Sequence, residues 1–326
     1  MRLLSIAALA APLALTLVPP APVREFRIDA GHSDIAFSIG FLGHPVRGRF
    51  SDIRGIIAYS AGNPSASAVT VVIATKSIAT GSDHRDEHLR SADFFDVARY
   101  PTIVFRSDSI TQHRESLIAS GALTMHGVTK RVVIPFREIS KPIVDPHGST
   151  LVVFSGALRL ARKDFGIFGG SKFNDWFDDI RSATMADSVD ITLDITGWDT
   201  DIDRTPRYTT SIDRIAREGV ASTVGRLKAQ PRDSLANAQW DIGMIARGLL
   251  ERGKTADALA LFRFGAEAWP DDPATHSALA RAFELSDAPD SARAHTRRAL
   301  ALDALDPRAL ELARRLGIPT TGQPFR

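Results

Sequence analysis

Apolar and polar residues alternate along much of the first 199 residues of this chain. The segments Ser33–Ile39 and Val189–Ile195 show the alternation most clearly. A period of two places every second side chain on the same face of a strand, so these segments are predicted to be β-strands with one buried face. Between Glu25 and Asp199 many such strands follow one another, and the sequence indicates only one short helix, near residues 86–91. This organisation favours an antiparallel all-β sandwich or closed barrel over an α/β fold.

The pattern changes after Trp198. Apolar residues at helical spacing predict an amphipathic helix over residues 205–228, weakened at Gly219. Further on, Ala258 and Ala292 stand 34 residues apart in similar surroundings. That period is typical of the tetratricopeptide repeat, in which small residues let paired helices approach closely. We therefore predict an all-α, tetratricopeptide-like module, with the segment from Asp306 to Leu316 as its C-terminal cap.

These breaks divide the 326 residues into four predicted segments, since a chain of this length exceeds the usual size of one domain. The segments are a signal peptide (1–23), an all-β sandwich or barrel (24–199), a linker helix (200–230) and helical repeats (231–318).

The first segment has the layout of a secretory signal peptide, with Arg2 ahead of an apolar run from Leu3 to Val18. The run is short for a membrane span and contains Pro12. We therefore expect a mature chain that has no transmembrane segment and is periplasmic or secreted.

Charge and cysteine content exclude several function classes. The 40 basic and 38 acidic residues leave a net charge of +2, so no nucleic-acid partner is predicted. The chain has no cysteine, which excludes disulfide bonds, thiolate zinc sites, a thiol nucleophile and a lipid-modified N-terminal cysteine.

The most distinctive stretch runs from Asp83 to Pro101, where charged, polar and aromatic residues follow an order that local folding preference does not require. Other blocks accompany it, namely Asp29–Ser33, Ser77–Thr80, Phe105–Ser107, Gly121–Thr129 and Arg162–Ile167. In that order they resemble the YceI-like family, over roughly Phe26 to Trp198. The resemblance implies a lipocalin-like antiparallel barrel that encloses a long isoprenoid or related lipid chain. It does not extend to the last third of the chain.

The resemblance also implies where a ligand would lie. The best candidates to line the cavity are Phe94, Phe95, Tyr100 and Phe105. The best candidates near its polar end, at the barrel mouth, are Arg85, His88 and Arg162. Without a ligand the aromatic residues would form core, because aromatic side chains bury a large area. Arg162 would then pair with a carboxylate such as Asp164.

Two catalytic interpretations compete with ligand binding. Asp83, His84, Asp86 and His88 lie within six positions, and imidazole and carboxylate groups suit zinc, iron or copper. Their spacing matches no specific metal motif, and the plain interpretation is a helix N-terminus capped by Asp83 or Asp86. In His32-Ser33, neighbouring side chains on a strand point to opposite faces, so they form no catalytic pair. Ser33 is expected to hydrogen-bond to a neighbouring strand.

The sequence thus predicts an exported, non-enzymatic protein that holds a polyisoprenoid or fatty chain for transport, storage or sequestration, with no cofactor. A methylene moved out of water contributes about 0.8 kcal/mol, so a long chain needs few polar contacts. The alternatives are a metal-dependent hydrolase at the His/Asp-rich barrel mouth, and a scaffold that recruits a protein partner through the helical repeats.

Overall fold

The computed structural model describes residues 23–144, 149–169, 185–200, 206–231, 235 and 238–320. The predicted signal peptide, apart from Val23, lies outside the described residues. The strands are β1 (Arg24–Ile28), β2 (Asp34–Phe41), β3 (His44–Phe50), β4 (Ile53–Tyr59), β5 (Ala68–Ala74), β6 (Ile78–Ala79), β7 (Thr102–His113), β8 (Ser116–Met125), β9 (Val128–Val144), β10 (Ser149–Ala161) and β11 (Met185–Thr200). The helices are α1 (Asp83–Arg90), α2 (Pro206–Glu218), α3 (Val220–Lys228), α4 (Gln239–Glu251), α5 (Thr255–Ala268), α6 (Pro273–Leu285), α7 (Pro289–Leu302) and α8 (Pro307–Arg315).

The strands form a closed antiparallel barrel with eight positions, and the first three positions each contain two consecutive segments. β1 and β2 both pair with β11. In the second position, β4 pairs with β1 and β3 pairs with β2. In the third, β5 pairs with β4 and β6 pairs with β3. β7 to β11 follow as single strands in chain order. Because β11 returns to the first position, the sheet has no open side there. The predicted barrel is confirmed.

The two ends of the barrel differ in packing. The closed end carries α1, the hairpin turn 126–127 and the segment 162–169. The open end carries the loop 60–67 and the turn 114–115. Side chains that fill the closed end are buried, among them Phe50, Phe94, Phe165 and Ile167. Inward-facing side chains nearer the open end are only half-buried, among them Val69, Val71, Ile134 and Leu193. The interior is therefore solid at one end and hollow at the other.

The helix that was predicted over residues 205–228 is two helices, because the chain turns at Gly219, where φ is 81°. Small residues pack the helices that follow, and several alanines are fully buried, namely Ala246, Ala258, Ala280, Ala292 and Ala299. Within the described ranges, no helix has the length and apolar character needed to cross a membrane.

The helical module packs on the outer wall of the barrel. Val72 and Val104 point outward from β5 and β7, yet they are only 1% and 5% exposed because Leu310 of α8 packs against them. Ion pairs surround this apolar contact, namely Arg54 with Asp303, Arg106 with Glu311 and Arg308 with Glu25. α8 was predicted only as a cap for the helices, and the structure shows that it also joins them to the barrel.

A second contact lies beside the open end. Asp199, near the end of β11, is 4% exposed and binds Arg24 of β1 at 3.1 Å and Arg247 of α4 at 2.6 Å. Trp240 of α4 stacks on Trp198, with 5.2 Å between ring centroids. These contacts attach α4 to the rim of the barrel.

Candidate ligand-binding site

The hollow end of the barrel contains a cavity of about 490 Å³. It lies between the inner faces of β4, β5 and β7 to β11, with the loop 60–67 at its rim. The lining residues are Ile57, Tyr59, Ser60, Gly62, Pro64, Ser67, Val69, Val71, Phe105, Ile110, Gln112, Leu117, Ala119, Ile134, Phe136, Glu138, Phe154, Ser155, Gly156, Leu193 and Ile195. Most of them are apolar, and the polar members include several near the open end.

The cavity exists because short side chains alternate with bulky ones on the inner face. Ala119 of β8 faces inward beside Leu117. Gly156 of β10 stands opposite Phe136, and a Cβ atom there would lie 2.9 Å from the carbonyl oxygen of Pro135. Close strand approach on that side therefore requires glycine, and the missing side chain leaves part of the interior open.

One polar pair lies in the lining. The Tyr59 hydroxyl donates a hydrogen bond to Glu138 Oε1 at 2.9 Å. Burial, together with the hydrogen bond to Glu138 and its charge, raises the pKa of Tyr59 to about 12. The phenol is therefore protonated at neutral pH and serves as a donor to the carboxylate. The rings of Tyr59 and Phe136 each lie 5.8 Å from that of Phe154, so the pair stands beside a group of aromatic rings.

Comparison with known proteins identifies this barrel. Residues 26–197 match the family model of the YceI-like domain, which is more than half of the chain. The chain belongs to the YceI-like family.

Relatives of the YceI-like domain occur in several bacteria. A UPF0312 protein of Pseudomonas aeruginosa is 39% identical over 166 residues, which cover 50% of this chain and 86% of the relative. A UPF0312 protein of Vibrio cholerae is 37% identical over 161 residues, covering 48% and 85%. Among solved structures, Burkholderia cenocepacia BcnA has a TM-score of 0.45 at 20% identity, covering 52% of this chain and 98% of its own. A polyisoprenoid binding domain from Saccharophagus degradans has a TM-score of 0.40 at 16% identity, covering 54% and 98%.

Of the four aromatic residues predicted to line a cavity, the YceI-like barrel places Phe105 in the lining. The other three lie at the closed end. Phe94 is buried and meets the His88 ring edge-on at 5.0 Å, and Phe95 meets Phe50 edge-on at 5.9 Å. Tyr100 packs against the ring of His126, the first residue of the hairpin turn, at 4.5 Å. These three residues therefore lie apart from the cavity described here.

Arg85 and His88 lie on α1, also at the closed end. Arg85 Nε donates to Thr80 Oγ1 at 2.7 Å, and a terminal nitrogen donates to the Thr80 carbonyl oxygen at 2.9 Å. His88 Nε2 lies 3.2 Å from Asp93 Oδ2. Asp83 or Asp86 was expected to cap the helix, but the N-cap residue of α1 is Ser82, with no side-chain cap hydrogen bond, and the Asp86 carboxylate accepts from the Thr80 backbone N–H at 2.8 Å. The charged residues of α1 thus fix the helix to the strand segment before it.

Arg162 is 5% exposed and directs its guanidinium group to backbone carbonyls. It donates to Ala186 O at 3.0 Å, to Ile167 O at 2.8 Å and to Phe168 O. Burial lowers the pKa of this guanidinium group. Its predicted pairing with a carboxylate such as Asp164 is wrong, because Asp164 points outward and binds Lys130 at 3.0 Å.

The residues considered for catalysis have structural partners. Ser33 Oγ accepts from the Thr196 N–H at 3.0 Å, as predicted for a hydrogen bond to a neighbouring strand. His32 points outward and its Nδ1 lies 2.7 Å from Asp29 Oδ2. Among the residues that the structure describes, no group of three or more His, Asp or Glu side chains could hold a metal ion.

Sequence reasoning did not find Tyr59 and Glu138. The alternation Val132, Ile134, Phe136, Glu138 places a carboxylate in the inward phase of a strand, and this is the signal that could have found it.

Proposed function

We propose that this protein is a non-enzymatic binding protein that holds one long apolar chain, a polyisoprenoid or similar lipid, in the cavity of its YceI-like barrel. The observation that carries the proposal is the cavity itself. Protein interiors are normally close-packed, so an apolar space of about 490 Å³ that opens at one end of the barrel is a feature that requires explanation. Its size falls within the range of roughly 300–1,000 Å³ of ligand pockets.

Burial of the ligand would supply most of the binding energy. Each methylene that leaves water contributes about 0.8 kcal/mol, and inward side chains such as Val69 and Ile134 are left half-buried until an occupant covers them. No catalytic group is needed for this function.

Mass spectrometry of an organic extract tests the proposal. Full-length protein purified from cells is expected to release a long-chain apolar compound in near-stoichiometric amount. The variant Ala119→Phe places a ring in the cavity and should carry much less of it. Ser120→Phe is the matched control, because Ser120 is the next residue on β8 and stands opposite the exposed Val133 on the outer face.

Equal lipid content in Ala119→Phe and the wild type would remove the cavity as the binding site. An extract without lipid, from protein that also binds no added long-chain ligand, would remove the proposal.

We also propose that the protein acts outside the cytoplasm. The support is the charged and apolar layout of residues 2–18. N-terminal sequencing of protein from the periplasm or medium should begin near residues 22–26, whereas an intact Met1 in that fraction would contradict export.

A further inference from the structure

The cavity contains a charged side chain, and the binding of an apolar chain does not require one. Glu138 is the one charged side chain among the described lining residues. A carboxylate in an apolar environment is costly unless hydrogen bonds or opposite charge compensate it. The partners of this carboxylate therefore indicate what else the cavity is built to contain.

Among the described residues, Tyr59 is the hydrogen-bond partner of Glu138, and no cation forms an ion pair with it. Arg24 stands opposite Tyr59 in the β1 and β4 register. Its guanidinium group binds Asp199 at 3.1 Å and lies over the Phe26 ring, 5.3 Å from the centroid. The nearby cation is thus held by another carboxylate.

The surroundings of Glu138 favour a hydrogen-bond donor or a positive charge. An ionised carboxylate offers about four lone-pair sites, and one phenol occupies only one of them. The faces of Tyr59, Phe136 and Phe154 are negative because of the ring quadrupole, so they also attract a cation. A second anion beside the half-buried Glu138 would meet charge repulsion.

We propose that Glu138 selects the end group of the bound chain, so that the site accepts long apolar molecules that end in an amine or a hydroxyl and rejects those that end in a carboxylate or a phosphate. This inference rests on the proposed function and deepens it. The end group lies at the open end beside Tyr59 and Glu138, and the apolar chain extends between Phe105, Ile134 and Leu193. The polar end is thus an acceptor site at the open end, whereas the sequence predicted a cationic one at Arg85, His88 and Arg162.

Ligands of equal chain length test the selection. Delipidated full-length protein is loaded with the neutral fluorescent probe N-phenyl-1-naphthylamine at pH 8. The probe is then displaced with hexadecylamine, hexadecanol or palmitate, each below its aggregation limit. The amine should bind on the order of tenfold to a hundredfold more tightly than palmitate, the range for a charge-assisted hydrogen bond, with the alcohol between them.

The variant Glu138→Gln should bring the three affinities together, by weakening the amine and strengthening palmitate. It keeps an oxygen that accepts from Tyr59, so the barrel should fold unchanged. Glu115→Gln is the matched control. Glu115 is an exposed acid in the turn between β7 and β8 at the same end, and it is not in the lining. This control removes the same charge and should keep the full preference.

Tyr59→Phe provides a second variant. It removes the donor and leaves the carboxylate in place, so the preference for the amine should persist or increase. Wild-type protein that binds palmitate as tightly as the amine, or Glu138→Gln protein that keeps the preference, would overturn this inference and leave the proposed function intact. Failure of all three ligands to displace the probe or to bind directly would overturn the proposed function itself.

Discussion

Arg162 belongs to a family block, yet its side chain stabilises the fold at the closed end of the barrel. Its guanidinium group donates to the carbonyl oxygens of Ile167, Phe168 and Ala186, and the hydrogen bond to Ile167 is fully buried. Arg162→Met should lower the free energy of unfolding by about 1–3 kcal/mol, the cost of leaving the buried Ile167 carbonyl without a donor. Urea unfolding measures the change.

The control for this prediction is Arg159→Met. Arg159 is an exposed residue of β10 that pairs with Asp190 on the outer surface. Exposed ion pairs contribute little to stability, so the loss of this pair should leave the urea midpoint of unfolding unchanged. Arg162→Met protein that is as stable as this control, but deficient in lipid, would instead place Arg162 in the binding site.

A pair of histidines in the helical module should make its stability depend on pH. His276 Nε2 donates to the Pro270 carbonyl oxygen at 2.9 Å, and its Nδ1 forms a hydrogen bond with Nδ1 of His295 at 3.0 Å. Burial, and then the positive charges of His276 and Arg263, lower the pKa of His295 below 6.5. The folded protein therefore resists protonation of His295.

The sign of the pH effect follows from that lowered pKa. Above pH 6.5 His295 is neutral in both states, and the full stability is present. Below pH 6.5 the unfolded chain binds a proton that the folded protein resists, so stability falls as the pH falls toward the folded pKa. His295→Gln should show a smaller loss of thermal stability between pH 7.5 and 5.5 than the wild type. Equal losses in the two proteins would contradict this prediction.

At this scale the sequence identifies some cavity residues and misses others for a physical reason. Phe105 was named from the family resemblance, because its neighbours Ile103 and Val104 are also apolar and buried and alternation does not give its direction. Phe94 and Phe95 lie after a helix, where no period tells which way a side chain points. Glu138 was missed because a carboxylate on an inward phase contradicts the usual rule that buried strand faces are apolar.

At the scale of elements, the alternation predicted an antiparallel sandwich or barrel and the family resemblance a barrel, but neither predicted its uneven filling. The phase of a strand tells which side chains face inward, and it does not tell how much of the interior they occupy. The closed end is filled largely by residues from outside the long strands, such as Phe94 after α1 and Phe165 after β10. Their contribution depends on contacts between segments that are far apart in the chain.

The docking of α8 can be tested at the same scale. Leu310 is 2% exposed and packs on Val72 and Val104. Leu310→Ala should lower the stability of the full-length protein by about 2–5 kcal/mol, because it leaves a cavity between helix and barrel. Leu285→Ala, at an exposed position of α6, is the control and should have little effect. Differential scanning calorimetry would show whether the loss affects one transition or separates two. A Leu310→Ala protein as stable as the control would mean that α8 does not hold the two parts together.

At the scale of the whole molecule, ligand binding and helix docking use opposite sides of the same wall. Val71 and Phe105 face the cavity, whereas Val72 and Val104, the neighbouring residues, face α8. All the lining residues lie between positions 57 and 195, so the helices contribute none of those described. All of the described lining thus lies on the N-terminal side of the division predicted near residue 200.

A fragment of residues 24–200 is accordingly predicted to fold and to bind the same long-chain ligand with the affinity of the full-length protein. Without the helices, Val72 and Val104 become an exposed apolar patch, and Arg54 loses its partner Asp303. The fragment should therefore self-associate, as measured by analytical ultracentrifugation. The double substitution Val72→Thr and Val104→Thr keeps strand-forming residues and should restore a monomer with unchanged binding.

The contrary result would be equally informative. The fragment could be monomeric and folded and yet bind no ligand, while the full-length protein does bind. The packing of α8 on β5 and β7 would then be needed to keep the cavity in its binding-competent shape. In that case Leu310→Ala, which loosens the same contact in the intact chain, should also weaken binding. Binding that survives in the fragment but falls in Leu310→Ala would instead indicate that a loosened α8 disturbs β5 and β7 more than its complete removal does.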